Sequence, residues 1–195
     1  MKEPFFYSYI AKPIIYIYTK IFLRPKVIGK SYIPKTGSVI LAGNHTNNLD
    51  SVVLAAINKR VIHFLAKDSL LKGTKKIIFK NMGIIPVNRS IHDKNALNNA
   101  INILNEGKVI GIFPEGTINK TNDLILPFKI GAVKMASITS SKIVPFVITG
   151  NYKLFNNNLC IEFLEPIKIP KNKDLTEYNE KLMSIISEKL KEKRK

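Results

Sequence analysis

The sequence predicts an α/β fold in which a single domain, with a largely parallel central sheet flanked by helices, follows amphipathic N-terminal helices. Two observations lead to this prediction. Short apolar runs typical of buried strands alternate with segments whose apolar residues have helical spacing, and such alternation favours a parallel sheet. The 195 residues suffice for one core, and no repeat or low-complexity linker indicates a second.

The N-terminal segment, residues 1–28, is expected to be helical and to associate with a membrane surface. It is rich in Phe, Tyr and Ile, but Lys12, Pro13 and Lys20 interrupt it, and its longest uncharged run is the eight residues 4–11. Because a spanning helix needs about 20 apolar residues, we expect a helix, or two short helices bent at Pro13, lying in the membrane interface. An amphipathic helix packed on the protein's own core is the alternative. The charged interruptions and the lack of a cleavage site argue against a signal peptide.

The elements of the globular part follow from the pattern in chain order. Apolar runs predict strands over residues 38–43, 60–66, 109–116, 142–150 and 159–167. Helical spacing predicts helices over residues 51–58, 69–80, 93–105 and 128–139. A last helix is expected from Asp174 onward, because Asp174 and Glu177 occupy capping-box positions before a segment with one apolar face.

A polar motif, NHTNNLD at residues 44–50, separates the first of these strands from the first helix. On a straight helix of about 100° per residue, His45 and Asp50 would lie roughly 140° apart and could not bond each other. The intervening Asn and Thr residues form turns and helix caps, which predicts strand, turn and helix and lets the two side chains meet. A histidine oriented by a carboxylate at the carboxyl end of a strand is suited to general-base catalysis. An enzyme is therefore the leading interpretation.

Four sequence blocks resemble those of the glycerolipid acyltransferases in order and spacing. They are the pair His45 and Asp50, GIIPVNR at residues 83–89, FPEGT at residues 113–117 and IVPFVITG at residues 143–150. The chain resembles bacterial 1-acylglycerol-3-phosphate acyltransferases from about residue 5 to about residue 189. The resemblance implies that residues 29–195 form a catalytic domain. It also implies transfer of a fatty acyl group from an acyl carrier protein or coenzyme A thioester to the 2-hydroxyl of lysophosphatidate, which gives phosphatidate.

The resemblance assigns His45 the role of general base and Asp50 that of the group that orients it. It implies direct attack of the acceptor hydroxyl on the thioester without an acyl-enzyme, so Cys160 has no expected role. Neither a metal nor an organic cofactor is expected. Lysophosphatidate, the acyl donor and the phospholipid surface are the expected partners, at the cytoplasmic face of the cell membrane with peripheral or monotopic attachment.

Acceptor binding is assigned by the same resemblance. Arg89 and Lys67 match positions that contact the acceptor phosphate, although each could instead be an ordinary solvated charge. Glu115, Gly116 and Thr117 belong to a block used for acceptor binding, with capping of the following turn as the structural alternative for Glu115.

One position departs from the family pattern. The block usually reads E-G-T-R, and its arginine helps to hold the acceptor phosphate, but this chain has Ile118 there. Either Arg89, Lys67 and Lys120 suffice to bind the phosphate, or the acceptor differs from lysophosphatidate.

Charge and cysteine content limit the other classes of function. The net charge of +17 and the pI near 9.9 permit a polyanionic partner, but lysine makes up 27 of the 31 basic residues, a bias that nucleotide composition alone can create. The single cysteine, Cys160, excludes an internal disulfide and favours a cytosolic setting.

Three rival interpretations remain at this stage. A metal hydrolase could use His45, Asp50, His63 and Glu115, but they do not have a familiar ligand spacing. A nucleic-acid-binding module is disfavoured, and no nucleic acid partner is expected, because the chain has only four arginines and its aromatic residues cluster near the N-terminus. An acyltransferase that has lost catalysis is disfavoured by the intact His45 and Asp50.

Overall fold

The computed structural model describes residues 7–71, 83–88, 93–171 and 174–194. Within these residues, seven strands form one sheet in the order β1-β7-β6-β2-β5-β3-β4. The strands are β1 (Lys26–Ile28), β2 (Val39–Gly43), β3 (Ile62–Lys67), β4 (Ile85–Val87), β5 (Val109–Ile112), β6 (Lys142–Thr149) and β7 (Cys160–Phe163). Each pair of neighbours is parallel except β6 and β7, which are antiparallel. The predicted α/β class with a largely parallel sheet is confirmed.

Helices cover both faces of the sheet. They are α1 (Lys12–Tyr18), α2 (Asp50–Ile57), α3 (Lys94–Asn105), α4 (Gly131–Thr139) and α5 (Leu175–Arg194). Apolar residues of α3, α4 and α5 pack in one cluster with the side chains of Ile40 and Ala42. The alternate β2 residues Val39 and Leu41 pack with α2 in a second cluster on the other face. The period-2 alternation of a strand thus places β2 between two cores.

Strand β2 lies in the middle of the sheet and leads directly into the 44–50 motif. All five of its residues are buried, and it pairs with β5 and β6. A strand covered on both faces has no exposed side that requires polar residues, which explains its uninterrupted apolar sequence. The motif therefore begins at the carboxyl edge of a rigid central strand.

Each of the five strand predictions overlaps an observed strand, and four helix predictions match α2 to α5 within three residues. The strand predicted over 109–116 ends earlier, at Ile112, because residues 114–115 form a turn. The helix predicted over 69–80 lies outside the described residues beyond a 3-10 turn at Asp68–Leu71. Strands β1 and β4 were not predicted. Because β1 pairs with β7, the sheet begins inside the segment 1–28.

The described part of the N-terminal segment is helical over residues 7–23. A short π-helix (Tyr7–Ala11), α1 and a second short π-helix (Thr19–Leu23) follow one another, and Pro13 lies in the first turn of α1. Tyr7, Thr19 and Leu23 are buried, and α1 packs against α2. The remaining surface exposes large apolar side chains, namely Tyr9, Ile10, Ile14, Tyr16, Ile17, Tyr18 and Ile21. No helix in the described ranges is both long and apolar enough to cross a membrane.

Candidate active site

Gly43 and Asn44, the two residues that precede His45, fix the turn after β2 to the sheet. A side chain at Gly43 would collide with the ring of Phe146, so this position requires glycine. The Asn44 amide donates to the Ile148 carbonyl oxygen at 2.9 Å, and its own oxygen accepts from the Ile148 N–H at 2.7 Å. The turn that carries His45 is therefore anchored to β6 through a buried amide that is hydrogen bonded at both its nitrogen and its oxygen.

His45 and Asp50 meet as the sequence predicts. His45 Nδ1 lies 2.8 Å from Asp50 Oδ2, and Asp50 is the first residue of α2, where it is fully buried. The N–H groups of Thr46 and Asn47 donate to the same oxygen at 2.6 and 2.8 Å. With a carboxylate facing Nδ1, the neutral imidazole carries its proton there, which leaves Nε2 as the acceptor.

Tyr152 also contacts the carboxylate, and sequence analysis did not identify it. Its hydroxyl donates to Asp50 Oδ1 from the loop between β6 and β7, 102 residues away in the chain. Burial raises the pKa of Tyr152, and the negative charge of Asp50 raises it further, so the hydroxyl stays protonated and remains a donor. A contact over such a distance has no local sequence signal.

Glu115 connects the second motif to the first. One carboxylate oxygen accepts from the His45 backbone N–H at 2.7 Å, and the other accepts from the Leu126 N–H at 2.8 Å. Burial raises the pKa of Glu115, although both backbone donors oppose this rise. The side chain thus holds the main chain of the turn that carries His45.

The imidazole ring is held by aromatic packing as well as by hydrogen bonds. The rings of His45 and Phe113 stack with centroids 4.0 Å apart and an angle of 11° between their planes. Phe146 in turn meets Phe113 edge-on at 6.0 Å. Such stacking restricts the tilt of the imidazole, so that Asp50 and Phe113 together define the ring plane.

Gly116 lies against a lysine that sequence analysis did not identify. Its φ of +73° suits glycine, and a Cβ there would lie 2.9 Å from Lys129 Cε and 3.1 Å from Lys129 Nζ. The Lys129 N–H also donates to the Pro114 carbonyl oxygen at 2.9 Å. The backbone of the 113–117 block and the Lys129 side chain therefore form one unit.

His45 opens onto a cleft of about 810 Å³ with two kinds of lining. Among the described residues, the lining includes Gly116, Thr117 and Ile118 beside the cationic side chains of Lys67, Lys120 and Lys129. The N-terminal helical segment, α2 and β3 contribute apolar lining residues, namely Tyr7, Ile15, Val52, Ala55, Phe64 and Leu65. A cleft with apolar and cationic parts fits an amphiphilic anion.

The other predicted residues have different positions. Arg89 lies outside the described residues. His63, in β3, is buried, hydrogen bonds through Nδ1 to the Gly83 carbonyl oxygen at 2.9 Å, and is not one of the residues that line the cleft. Across the part of the chain that the structure describes, no group of three or more His, Cys, Asp or Glu residues is arranged to hold a metal ion.

A histidine paired with a buried carboxylate beside an amphiphilic cleft is an arrangement that enzymes use to activate hydroxyl groups. Comparison with family models gives a match over residues 24–149 to the family described as Acyltransferase. The match covers more than half of the chain. The chain therefore belongs to the acyltransferase family.

Individual relatives agree with this assignment. The 1-acyl-sn-glycerol-3-phosphate acyltransferase of Borreliella burgdorferi is 38% identical over 136 residues, which are 68% of this chain and 54% of that protein. The Bacillus subtilis protein of the same name is 31% identical over 127 residues, 64% of this chain and 62% of the relative. The matched part thus spans little more than half the length of these relatives.

A solved structure shares the fold over nearly the whole chain. The crystal structure of the 1-acyl-sn-glycerophosphate (LPA) acyltransferase, PlsC, from Thermotoga maritima superimposes with a TM-score of 0.76 and covers 96% of this chain and 81% of its own. The sequence identity is 20%, so this similarity describes the fold.

Proposed function

We propose that this protein is a 1-acylglycerol-3-phosphate acyltransferase of phospholipid synthesis. The observation that carries the proposal is the His45–Asp50 pair at the wall of a cleft with both apolar and cationic lining. An acyl chain needs the first kind of lining and a phosphate group needs the second. The names of the relatives at 31% and 38% identity support the same reaction.

The reaction uses His45 as a base in a direct transfer. Nε2 accepts the proton of the acceptor 2-hydroxyl while that oxygen attacks the thioester carbonyl carbon. Asp50 stabilises the imidazolium that forms. The tetrahedral oxyanion then collapses, the carbon–sulfur bond breaks, and the departing thiolate takes the proton from His45. An ester and a free thiol result, the histidine is regenerated, and no cofactor takes part.

The acceptor phosphate is bound by the lysines of the cleft together with Arg89. Lys67, Lys120 and Lys129 all line the cleft, and charge-assisted hydrogen bonds to phosphate are the strong kind. Lys129 lies over Gly116, two residues from Ile118, so it supplies a cation close to the position where an arginine is expected. Thr117 and the Glu115-braced turn complete this wall.

The acyl donor is either an acyl carrier protein thioester or a coenzyme A thioester. The enzyme acts at the cytoplasmic face of the cell membrane as a peripheral or monotopic protein, with the exposed side of the N-terminal helix in the lipid interface. This orientation is supported by the apolar lining of the cleft, which includes Tyr7 and Ile15 of the same helical segment. A lipid substrate can then enter the cleft from the bilayer.

A second candidate is an acyltransferase of the same family with a different lysolipid or alcohol as acceptor. Ile118 favours it, because an apolar side chain lines the cleft where the family has a phosphate ligand. The two candidates differ only in the acceptor headgroup.

The decisive experiment is an assay with purified protein in lipid vesicles. Acyl carrier protein and coenzyme A donors are crossed with lysophosphatidate, glycerol 3-phosphate and a neutral lysolipid, and the His45→Ala variant serves as the blank. We expect lysophosphatidate to be the preferred acceptor. Equal turnover of the neutral lysolipid would favour the second candidate, and no turnover with any pair would refute both.

A further inference from the structure

Two large apolar residues are exposed in the loop between β6 and β7. Leu154 and Phe155 have 55% and 61% of their surface accessible. We propose that this loop tip (Leu154 and Phe155) inserts into the phospholipid bilayer as a second contact beside the N-terminal helix. The inference rests on the proposed function, because an enzyme that acts on membrane lipid has a bilayer next to this surface.

The backbone holds the loop tip in a costly conformation. Phe155 has φ of +58°, which is unusual for a bulky side chain, and its ring remains exposed. Its N–H donates to the Phe22 carbonyl oxygen at 2.7 Å, at the end of the N-terminal helix. Strain of this kind persists where the surroundings impose it, and it is concentrated at functional sites. Here the left-handed backbone of Phe155 directs its ring towards solvent, whereas a phenylalanine side chain is usually buried.

The loop tip continues the exposed apolar side of the helix. The rings of Tyr18 and Phe22 are 5.2 Å apart, and those of Phe22 and Phe155 are 5.4 Å apart. Ile14, Ile17, Tyr18 and Ile21 are exposed at the spacing i, i+3, i+4, i+7, which places them on one face of the helix. This helix face and the loop tip form one apolar surface contributed by two distant parts of the sequence.

The charge around this surface identifies a lipid partner. Neither residues 7–28 nor residues 151–158 contain Asp or Glu, whereas Lys20, Arg24 and Lys153 are exposed beside the apolar residues. The Arg24 guanidinium lies 6.0 Å above the Phe155 ring, and Lys20 Nζ lies 5.7 Å above the Tyr16 ring. Cations beside aromatic rings at the edge of an apolar surface match the headgroup level of an anionic bilayer.

The same loop reaches the catalytic site. Tyr152, which donates to the Asp50 carboxylate, lies three residues before Phe155. A bilayer contact at Phe155 is therefore connected by a short stretch of chain to the group that orients His45. The loop is thus held at both places, by the Tyr152 hydrogen bond to Asp50 and by the Phe155 hydrogen bond to Phe22.

The test is tryptophan fluorescence. Because the chain contains no tryptophan, the Phe155→Trp variant carries a single one, at the loop tip. The protein is mixed with vesicles of equal parts phosphatidylcholine and phosphatidylglycerol. We expect the emission to move to shorter wavelength and to be quenched by lipids brominated in their acyl chains. The matched control is Ile138→Trp, because Ile138 is 48% exposed on α4, across the sheet. Emission from the control should be unchanged.

A second variant measures the contribution to binding. Phe155→Asn keeps a residue that tolerates the left-handed conformation, so the fold should be retained. Loss of one aromatic side chain that is buried in the bilayer should lower the partition coefficient onto these vesicles by roughly tenfold or more. Ile138→Asn should leave it unchanged.

The outcomes separate this inference from the proposed function. If the brominated vesicles do not quench the emission of the Phe155→Trp variant, the loop tip does not insert and the inference is wrong. An unaltered partition coefficient of the Phe155→Asn variant would also contradict it. Absence of acyl transfer with every acceptor would refute the proposed function while leaving the quenching result to stand on its own.

Discussion

The Asp50 carboxylate is buried, and several hydrogen-bond donors compensate for the water that it loses on burial. Besides His45, it accepts from the N–H groups of Thr46 and Asn47, from the Thr46 hydroxyl at 3.2 Å and from the Tyr152 hydroxyl. A buried carboxylate without such partners would be strongly destabilising. Because its donors come from the turn and from a distant loop, Asp50 is fixed before any substrate binds.

Substitution of His45 tests its proposed role as the general base. His45→Ala should lower acyl transfer by a factor of at least ~10², because general-base catalysis contributes on that scale. The rate of purified protein in vesicles is the measurement, and circular dichroism checks the fold. Cys160→Ser is the control and should leave the rate nearly unchanged. Near-native turnover by His45→Ala would contradict its assignment as base.

Tyr152→Phe tests the additional carboxylate donor. The variant keeps the ring but removes one hydrogen bond to a carboxylate, and a bond to a charged group contributes about 1.5–3 kcal/mol. Because Asp50 keeps its other donors, only part of this contribution should be lost in the transition state, and we expect a two- to tenfold lower kcat, since about 1.4 kcal/mol corresponds to a factor of ten. The KM for the acceptor should change little, because Tyr152 does not line the cleft. A change confined to KM would argue against this role.

Two opposite changes test the proposed phosphate site. Lys129→Ala should weaken the apparent affinity for lysophosphatidate, while Ile118→Arg should maintain or improve it, because a hydrogen bond to a charged group contributes about 1.5–3 kcal/mol. The measurement compares KM for lysophosphatidate with KM for a neutral lysolipid. Harm from Ile118→Arg together with no phosphate-dependent effect of Lys129→Ala would exclude lysophosphatidate as the preferred acceptor.

At the scale of elements, the sequence predicts those helices, strands and turns that a pattern of neighbouring residues specifies. The apolar run of β2, the turn formers around His45 and the apolar spacing of α2 lie within about twenty residues, so the strand, turn and helix were all predictable. Strands β1 and β4 have only three residues each and lie at the two edges of the sheet. So short a segment carries no periodicity, and its pairing depends on neighbours far away in the sequence.

The same reasoning separates the residues of the site. His45 and Asp50 were predictable because a short motif contains both. Tyr152 and Lys129 were not, because each reaches the site through folding of a separate segment. Glu115 was predicted for its motif, but its hydrogen bonds to the His45 and Leu126 backbone required the three-dimensional arrangement.

The C-terminal helix α5 is attached to β7 by an ion cluster. Glu162 lies 3.1 Å from Lys189 Nζ and 2.7 Å from Lys193 Nζ. Burial alone would raise the pKa of Glu162, but hydrogen bonds from Lys193 and Lys189 outweigh it and lower the pKa below its usual range. A lowered carboxyl pKa means that the folded state holds the ionised form more favourably than the unfolded state.

The pH dependence of stability follows from that sign. The stabilisation from Glu162 is present above the unfolded pKa of about 4.3 and is lost as the pH falls through the lower folded value. Glu162→Gln should therefore reduce the free energy of unfolding at pH 7, and its difference from wild type should shrink towards pH 3. Denaturant unfolding across this range is the measurement. Glu165→Gln, at an exposed position nearby, should show no such trend.

At the scale of the whole molecule, the N-terminal helix belongs to the core as well as to the surface. Tyr7 and Leu23 are buried in the same cluster as Val53 and Leu54 of α2. Tyr7 and Ile15 also line the cleft. Removing the whole segment would therefore damage the fold and the site together, so a test of membrane association has to change only its exposed side.

Substitution of Ile14→Asn together with Ile17→Asn makes that change. Both side chains are exposed, so the fold should be kept, while loss of their insertion should lower vesicle partitioning and turnover of bilayer-held acceptor. A short-chain acceptor dissolved in water should be used at nearly the wild-type rate, because the His45 site is unchanged. Co-flotation with anionic vesicles and the ratio of the two rates are the measurements, with Ile138→Asn as the matched control. Equal losses on both acceptors would mean that these residues support catalysis through the fold and not through presentation of the membrane lipid.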